Sequence, residues 1–347
     1  MKSKKVQKVI ITILLDILLL GVCILTFFYF HSFKPKELDM EPIIITRPTA
    51  TPAPAATPAT DIETEQSPTA EPVLTWEEKF ADKFTSDGSV IQTDTSYISE
   101  NTHITITKVE TTIERDFKGQ MVDYPVLYYL ADIYITDIEQ FSTAMPNDEY
   151  GTSGSTLKQV VSHNGVVGVN GDNYCGLGRN SGLVIRNGAY LRDNLLEGAD
   201  ILVLYYDGSM EVYLYEEIDM NQIIAKGAYQ AWCFGPALLI NGQPYRSPQQ
   251  SDYIDQLNPR TAIGYYEPGH YCMVVVEGRD PSPSSGMSVG ELSELFYQLG
   301  CQNAYNMDGG ATSAMVFGGS YMNVRAGGGR HSTDTILILD PDYNKED

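Results

Sequence analysis

An α+β fold, with strands in the majority and helices few, follows from three observations in the sequence. Short runs of β-branched and aromatic residues recur from about residue 103 to residue 339, punctuated by Asp-Gly and Asn-Gly turn signals. One stretch of that span carries a capped helical pattern. No internal repeat period is present. These features predict a single domain of mixed β-sheets behind an N-terminal transmembrane helix.

The first element is the apolar run from Val9 to Phe30, 22 residues interrupted mainly by Thr12, Asp16 and Thr26. That length suits a bilayer-spanning helix, and the terminal Phe27, Phe28, Tyr29 and Phe30 fit an aromatic belt. Lys2, Lys4, Lys5 and Lys8 precede it, which predicts a cytoplasmic tip over residues 1–8 and everything after the helix outside the cell. No small-residue cleavage site follows, so the run reads as an uncleaved signal-anchor in the cell membrane. Residues 31–80 read as a stalk. Eight of the chain's 18 prolines fall between Pro35 and Pro72, and residues 46–60 are Thr, Pro and Ala with one Arg. Such a composition favours extended conformations and buries no core. The absence of any Asn-x-Ser/Thr sequon favours a bacterial surface.

The extracellular domain is expected over residues 81–347. Residues 103–107 and 126–135 predict its first strands. Residues 201–206 and 210–215 around Asp207-Gly208 predict a hairpin. A strand over 237–240 ends at Asn241-Gly242, and 261–266 and 271–277 predict a second strand pair. Ser288 followed by Glu291 makes a capping box, after which Leu292, Leu295, Phe296 and Leu299 keep helical spacing until Gly300 stops the helix. Residues 304–307, 312–317 and 335–339 complete the strands. Cys272 and Cys301 lie in successive predicted strands, and pairing between them stays open.

The chain has 347 residues, 23 Lys+Arg and 45 Asp+Glu, for a formal net charge of -22. The four lysines before the apolar run and Asp16 within it leave 19 basic and 44 acidic residues beyond it, a net of -25. That excess excludes a nucleic-acid-binding surface, which needs Lys and Arg to neutralise phosphates. It leaves room for a small anionic substrate, because a few arginines in a cleft dominate the local field. From Gly227 to Asn344 there is no lysine, and the cations are Arg246, Arg260, Arg279, Arg325 and Arg330.

Four polar, glycine-rich segments sit at strand ends, where a scaffold presents functional side chains. They begin at Gly168, Asn258, Glu277 and Asn306. Arg260 and Arg279 lie inside two of them, and an arginine fork suits a phosphate. Arg246 and Arg325 read as structural ion-pair partners. Arg330, after Gly327-Gly328-Gly329, stays open between the two readings.

Together, Phe234-Gly235-Pro236-Ala237-Leu238, Asn258-Pro259-Arg260-Thr261-Ala262-Ile263-Gly264, Gly278-Arg279 and Asn306-Met307-Asp308-Gly309-Gly310 with Thr312-Ser313 resemble the phosphodiester glycosidase family, in the same order over residues 160–340. Asp172 departs from the Asn-Gly-Gly of many members, and Ala311 stands where relatives often have a third glycine. The resemblance implies an extracytoplasmic hydrolase that cleaves a sugar-1-phosphodiester, releases the sugar and leaves a phosphomonoester, with bacterial members associated with exopolysaccharide or cell-wall glycopolymer. Such a reaction needs cations for the phosphate and a carboxylate for the oxocarbenium-like centre or the water. Asp308 is the expected nucleophile or base and Glu277 its partner. Arg260, Arg279, Asn258, Asn170, Asp172, Asn306, Gly309, Gly310, Thr312, Ser313 and Arg330 are the expected substrate contacts. No cofactor is required by the sequence. The clustered Asp and Asn leave room for a divalent cation, and no ligand spacing compels one. The alternative reading is a non-catalytic surface module that binds anionic glycopolymer. Oligomeric state is not encoded in any pattern found.

Overall fold

A computed structural model of the chain describes residues 2–28, 38, 41–48, 74–175, 182–246 and 255–343, with the backbone alone for 2–12, 27 and 28. Among the described residues three sheets, of six, nine and five strands, carry the fold, and every strand pairing is antiparallel. The α+β class therefore holds, and the mixing within the sheets lies in their crossing chain order rather than in strand direction.

The nine-stranded sheet runs, in spatial order, Gln243–Pro244, Ala237–Ile240, Asn303–Asn306, Arg260–Glu267, His270–Val276, Gln120–Ile135, Thr102–Phe117, Ser96–Ile98 and Ile91–Gln92. Its two faces bury different clusters. Ala262, Val274, Val276 and Ala304 pack under the helix Val289–Gln298, through Leu292 and Phe296. Ile263, Met273, Val275 and Tyr305 face the other way, into the main core. There they meet Val167, Val169, Met315 and Ile336 of the five-stranded sheet, whose order is Ser320–Tyr321, Met315–Phe317, Gly165–Asn170, Thr335–Leu339 and Phe141–Ala144. The third sheet contains Ile43–Ile44, Ala189–Asn194, Gly182–Arg186, Ala228–Trp232, Ile201–Tyr205 and Met210–Tyr213.

Local chemistry accounts for the element ends. Ser288 accepts from the Glu291 backbone N–H while the Glu291 carboxylate accepts from the Ser288 backbone N–H, the reciprocal capping expected from the sequence. The expected hairpin forms between Ile201–Tyr205 and Met210–Tyr213, with Asp207 accepting from Ser209 in the turn. The first two expected strands are much longer than their apolar cores. Thr102–Phe117 and Gln120–Ile135 are 16 residues each and pair along their whole length. Their outer halves are mostly solvent-exposed, so no burial alternation marks them in the sequence. The last expected strand but one is shortened to Met315–Phe317, because Gly310–Thr312 forms a 3-10 turn first.

The stalk expectation is corrected at both ends. Ile43–Ile44 adds an edge strand to Ala189–Asn194, Ile45 is buried, and Trp76 and Phe80 pack on the domain. Ile45 and the two aromatics provide the buried apolar area that the proline-rich context hides. Residues 49–73, the middle of the expected stalk, lie outside the described residues. At the N-terminus Lys2–Phe28 is an α-helix, and its apolar side chains from Ile13 to Leu25 are exposed. Among the described residues no helix is long and apolar enough to cross a membrane. The ends of the run from Val9 to Phe30 fall outside the described side chains. Cys272 and Cys301 bring their sulfurs within 3.7 Å as two buried thiols, unbonded.

Phe296 is fully buried between the helix and the large sheet. Phe296→Ala is expected to destabilise the domain by about 3–5 kcal/mol through the cavity it leaves. Urea unfolding measures this, and a loss below about 1 kcal/mol would show that the helix is not clamped there.

Candidate active site

The strand Asn303–Asn306 delivers Asp308 to the end of the large sheet, where the chain turns through Gly309 into Gly310–Thr312. The main chain of Asp308 is held from the other sheet. Its N–H donates to the Gly171 carbonyl at 3.2 Å, and its carbonyl accepts from Asn170 Nδ2 at 2.6 Å. Its carboxylate accepts from Arg330 Nη2 at 2.6 Å, and Arg330 Nε donates to Thr312 Oγ1 at 2.7 Å. Burial pushes the Asp308 carboxyl above the usual carboxylate range, while Arg330 and Thr312 pull against that shift. The pair is asymmetric: the Arg330 side chain is 54% exposed and the Asp308 side chain 8%. One end of this ion pair belongs to the interior and the other to solvent.

A second arginine arrives from across the turn. Arg279 has left-handed backbone, φ 60°, and Nη2 donates to Asn258 Oδ1. Gly310 has φ 66°, and a Cβ there would stand 3.2 Å from Arg279 Nη1. Its N–H donates to the Pro259 carbonyl at 2.9 Å. Glycine at 310 thus serves both the turn and the approach of the guanidinium. The result is a solvent-facing rim in which Arg279 and Arg330 flank the turn that carries Asp308, Gly309, Gly310 and Thr312.

The other expected contacts are placed differently. Arg260 lies opposite Val276 in register, on the helix-covered face. Its Nε donates to the Met287 carbonyl at 3.0 Å and its Nη2 to the Gln256 carbonyl at 2.6 Å. Burial lowers its pKa to about 10, with Asp255 opposing and Arg279 adding to the fall. It braces two loops behind the rim. Glu277, one residue past Val276 and turned the other way, is buried with Oε1 accepting from the Val324 N–H at 2.7 Å and Oε2 from Ser282 Oγ at 2.6 Å. These two loop groups fix the orientation of its carboxylate. Asn170 is fully buried, and its Oδ1 accepts from Thr261 Oγ1 and the Ala314 N–H, so it is a crosslink instead of a substrate contact. Asn306 donates to the Gly235 carbonyl from inside the protein, and Ser313 is buried beneath the turn. Asp172 is buried beside Arg186 and Asp334, two residues that sequence reasoning missed. A signal was present: Arg186 closes a strand whose five residues are all buried, an unusual place for a charge. Among the described residues no group of three or more His, Cys, Asp or Glu is arranged to hold a metal ion.

The phosphodiester glycosidase family model matches residues 160–339, just over half of the chain and all of the rim. The chain belongs to that family. The SPbeta prophage-derived uncharacterized protein YomE of Bacillus subtilis (strain 168) is 33% identical over 202 residues, which make up 56% of this chain and 31% of that protein. The chain therefore spans about a third of the length of that curated relative. Among solved structures, the zebrafish N-acetylglucosamine-1-phosphodiester α-N-acetylglucosaminidase catalytic domain, auto-inhibited by its pro-peptide, aligns with a TM-score of 0.57 and 19% identity, over 68% of this chain and 83% of that one. The shared fold covers more of this chain than the family match does. The long paired strands Thr102–Phe117 and Gln120–Ile135 precede the matched residues.

Arg330→Gln removes the charge that opposes burial at Asp308. The Asp308 carboxyl is then expected to titrate at higher pH than in the parent protein, as read by carbon-13 NMR of that side chain. An unchanged or lowered titration would show that Arg330 does not set its ionisation.

Proposed function

We propose that the chain is an extracytoplasmic hydrolase of sugar-1-phosphodiesters, and that Asp308, Arg279 and Arg330 carry the reaction. The single observation behind this reading is the rim itself: two exposed arginines flank a buried carboxylate on one turn, in a chain of the phosphodiester glycosidase family. The arginine forks hold the two unesterified phosphate oxygens and take up the charge of the departing phosphomonoester. The bond between the anomeric carbon and the ester oxygen breaks with its electron pair leaving on phosphate. Asp308 faces the developing positive charge on the sugar, as nucleophile or as base for the entering water. Water supplies the hydroxyl on the anomeric carbon and gives up one proton. A phosphomonoester leaves without strong protonation, which suits a site whose second carboxylate, Glu277, is engaged with Ser282 and Val324. Thr312 keeps Arg330 aimed, and Asn258 keeps Arg279 aimed. Exopolysaccharide or cell-wall glycopolymer is the substrate class this placement suits.

The anchor belongs to the same reading. Apolar side chains along the N-terminal helix are exposed, and four lysines precede the run. A helix seated in lipid with the domain outside would account for both. Full-length protein expressed in a bacterial host is expected in the membrane fraction, resistant to alkaline carbonate, with the domain cleaved by protease added to whole cells. Recovery in the soluble fraction would remove the anchor from the reading.

The reaction itself is tested on a UDP-sugar and on the methyl phosphodiester of a sugar-1-phosphate. Release of free sugar is expected. Asp308→Asn should lower kcat by about 10³-fold or more with the fold intact, and Arg279→Ala should cost about 10–100-fold, mainly in KM. Tight glycopolymer binding without turnover of either diester would instead support a binding module.

A further inference from the structure

Behind the rim lies a second charged cluster that the proposed reaction does not use. Asp172, Arg186 and Asp334 are all buried, none with more than 3% of its surface exposed. Arg186 Nε donates to Asp334 Oδ2 at 2.7 Å, and its Nη2 stands 3.6 Å from Asp172 Oδ2. Asp172 Oδ2 also accepts from the Cys233 N–H at 3.0 Å. The remaining oxygen of each carboxylate, Asp172 Oδ1 and Asp334 Oδ1, has no hydrogen-bond partner, and neither has Trp232 Nε1.

The cluster is wired to Asp308 through the backbone. Asp334 Oδ1 packs directly on Gly171, where a Cβ would collide with it. The Gly171 N–H donates to the Asp334 carbonyl at 3.1 Å, and the Gly171 carbonyl accepts from the Asp308 N–H. Asn170, the preceding residue, donates to the Asp308 carbonyl. Both main-chain groups of Asp308 are thus held by a two-residue turn whose back is sealed by the Asp334 side chain.

We propose that Asp334, held by Arg186, is a positioning residue that keeps the Asn170–Gly171 turn, and so Asp308, in place. The proposal rests on the reading of Asp308 as the reacting carboxylate. Burial pushes the Asp334 carboxyl up to about 7, with Arg186 opposing and Asp172 adding to the rise. The other titratable groups facing the pair are Tyr174, Cys233, Arg192 and Tyr305, and burial pushes Tyr174, Cys233 and Tyr305 well above their ordinary values, so they stay neutral near pH 7. The folded protein binds a proton here that the unfolded chain has lost above about pH 4. The stability this contributes is fully present below about pH 4, is lost progressively as pH rises from there to about 7, and changes no further above it.

The test follows thermal unfolding of the full-length chain, and kcat on a UDP-sugar, from about pH 5 to about pH 9. The parent Tm is expected to fall from about pH 5 to about pH 7 and to level off above it. Asp334→Asn replaces the protonated carboxyl by a neutral isostere and should abolish that fall. Asp334→Ala unseats Gly171 and should lower kcat about tenfold or more, with KM little changed, whereas Asp334→Asn should recover most of that loss. A Tm slope in Asp334→Asn equal to the parent's, failure of Asp334→Asn to fold, or an Ala variant with parental kcat would each overturn the proposal. If the parent protein turns over no sugar phosphodiester, the catalytic reading fails, while the Tm slopes still decide whether Asp334 holds the proton.

Discussion

The side chain of Asn170 is the joint on which the site depends. It sits at the end of the Gly165–Asn170 strand of the five-stranded sheet and reaches three groups at once. Nδ2 holds the Asp308 carbonyl, and Oδ1 takes both Thr261 Oγ1 and the Ala314 N–H. Thr261 belongs to the nine-stranded sheet, so one buried amide ties the ends of two sheets together. In water these hydrogen bonds would be worth little net, but in a dry interior an unmet amide is costly, so the three partners are held to one arrangement. The turn bearing Asp308 inherits its position from that arrangement.

Charge distribution then separates the two ends of the site. The portion beyond the N-terminal run carries a net of -25, yet the rim presents Arg279 and Arg330 and keeps its one carboxylate buried. An anion approaching such a surface is repelled at long range and attracted only over the last few ångströms, within about a Debye length. In the proposed reaction, selection for phosphate rests on the geometry of two guanidinium groups and not on a general field.

Much of this was legible in the chain, and the exceptions have physical causes. The helix Val289–Gln298 was readable because its capping box and apolar spacing agree. The strand Thr335–Leu339 was readable because its residues are almost uniformly buried and β-branched or Leu. The glycine-rich segment at 306–313 marked the turn that matters, and Arg279 beside it was recognised by its setting. Strand parity, which sends Arg260 to one face and Glu277 to the other, depends on a register no single sequence displays. Asn170 and Asp172 looked like ligand groups because a polar side chain at a strand end has the same sequence signature whether it turns outward or inward. Arg186 and Asp334 are 148 positions apart, and only folding makes them a pair.

The long hairpin gives the fold a property of a different kind. Its two 16-residue strands span about 50 Å at the usual rise per residue. Near its outer end Arg115 grips Ser285, the Gly286 carbonyl and Glu291, so the loop running on from Arg279 is clasped from outside the residues that the family model matches. Evolution can therefore retune the stiffness of the loop beyond Arg279 by altering an appendage, while the segment that defines the family stays untouched. Inherited chemistry and acquired selectivity would then reside in separable stretches of one polypeptide.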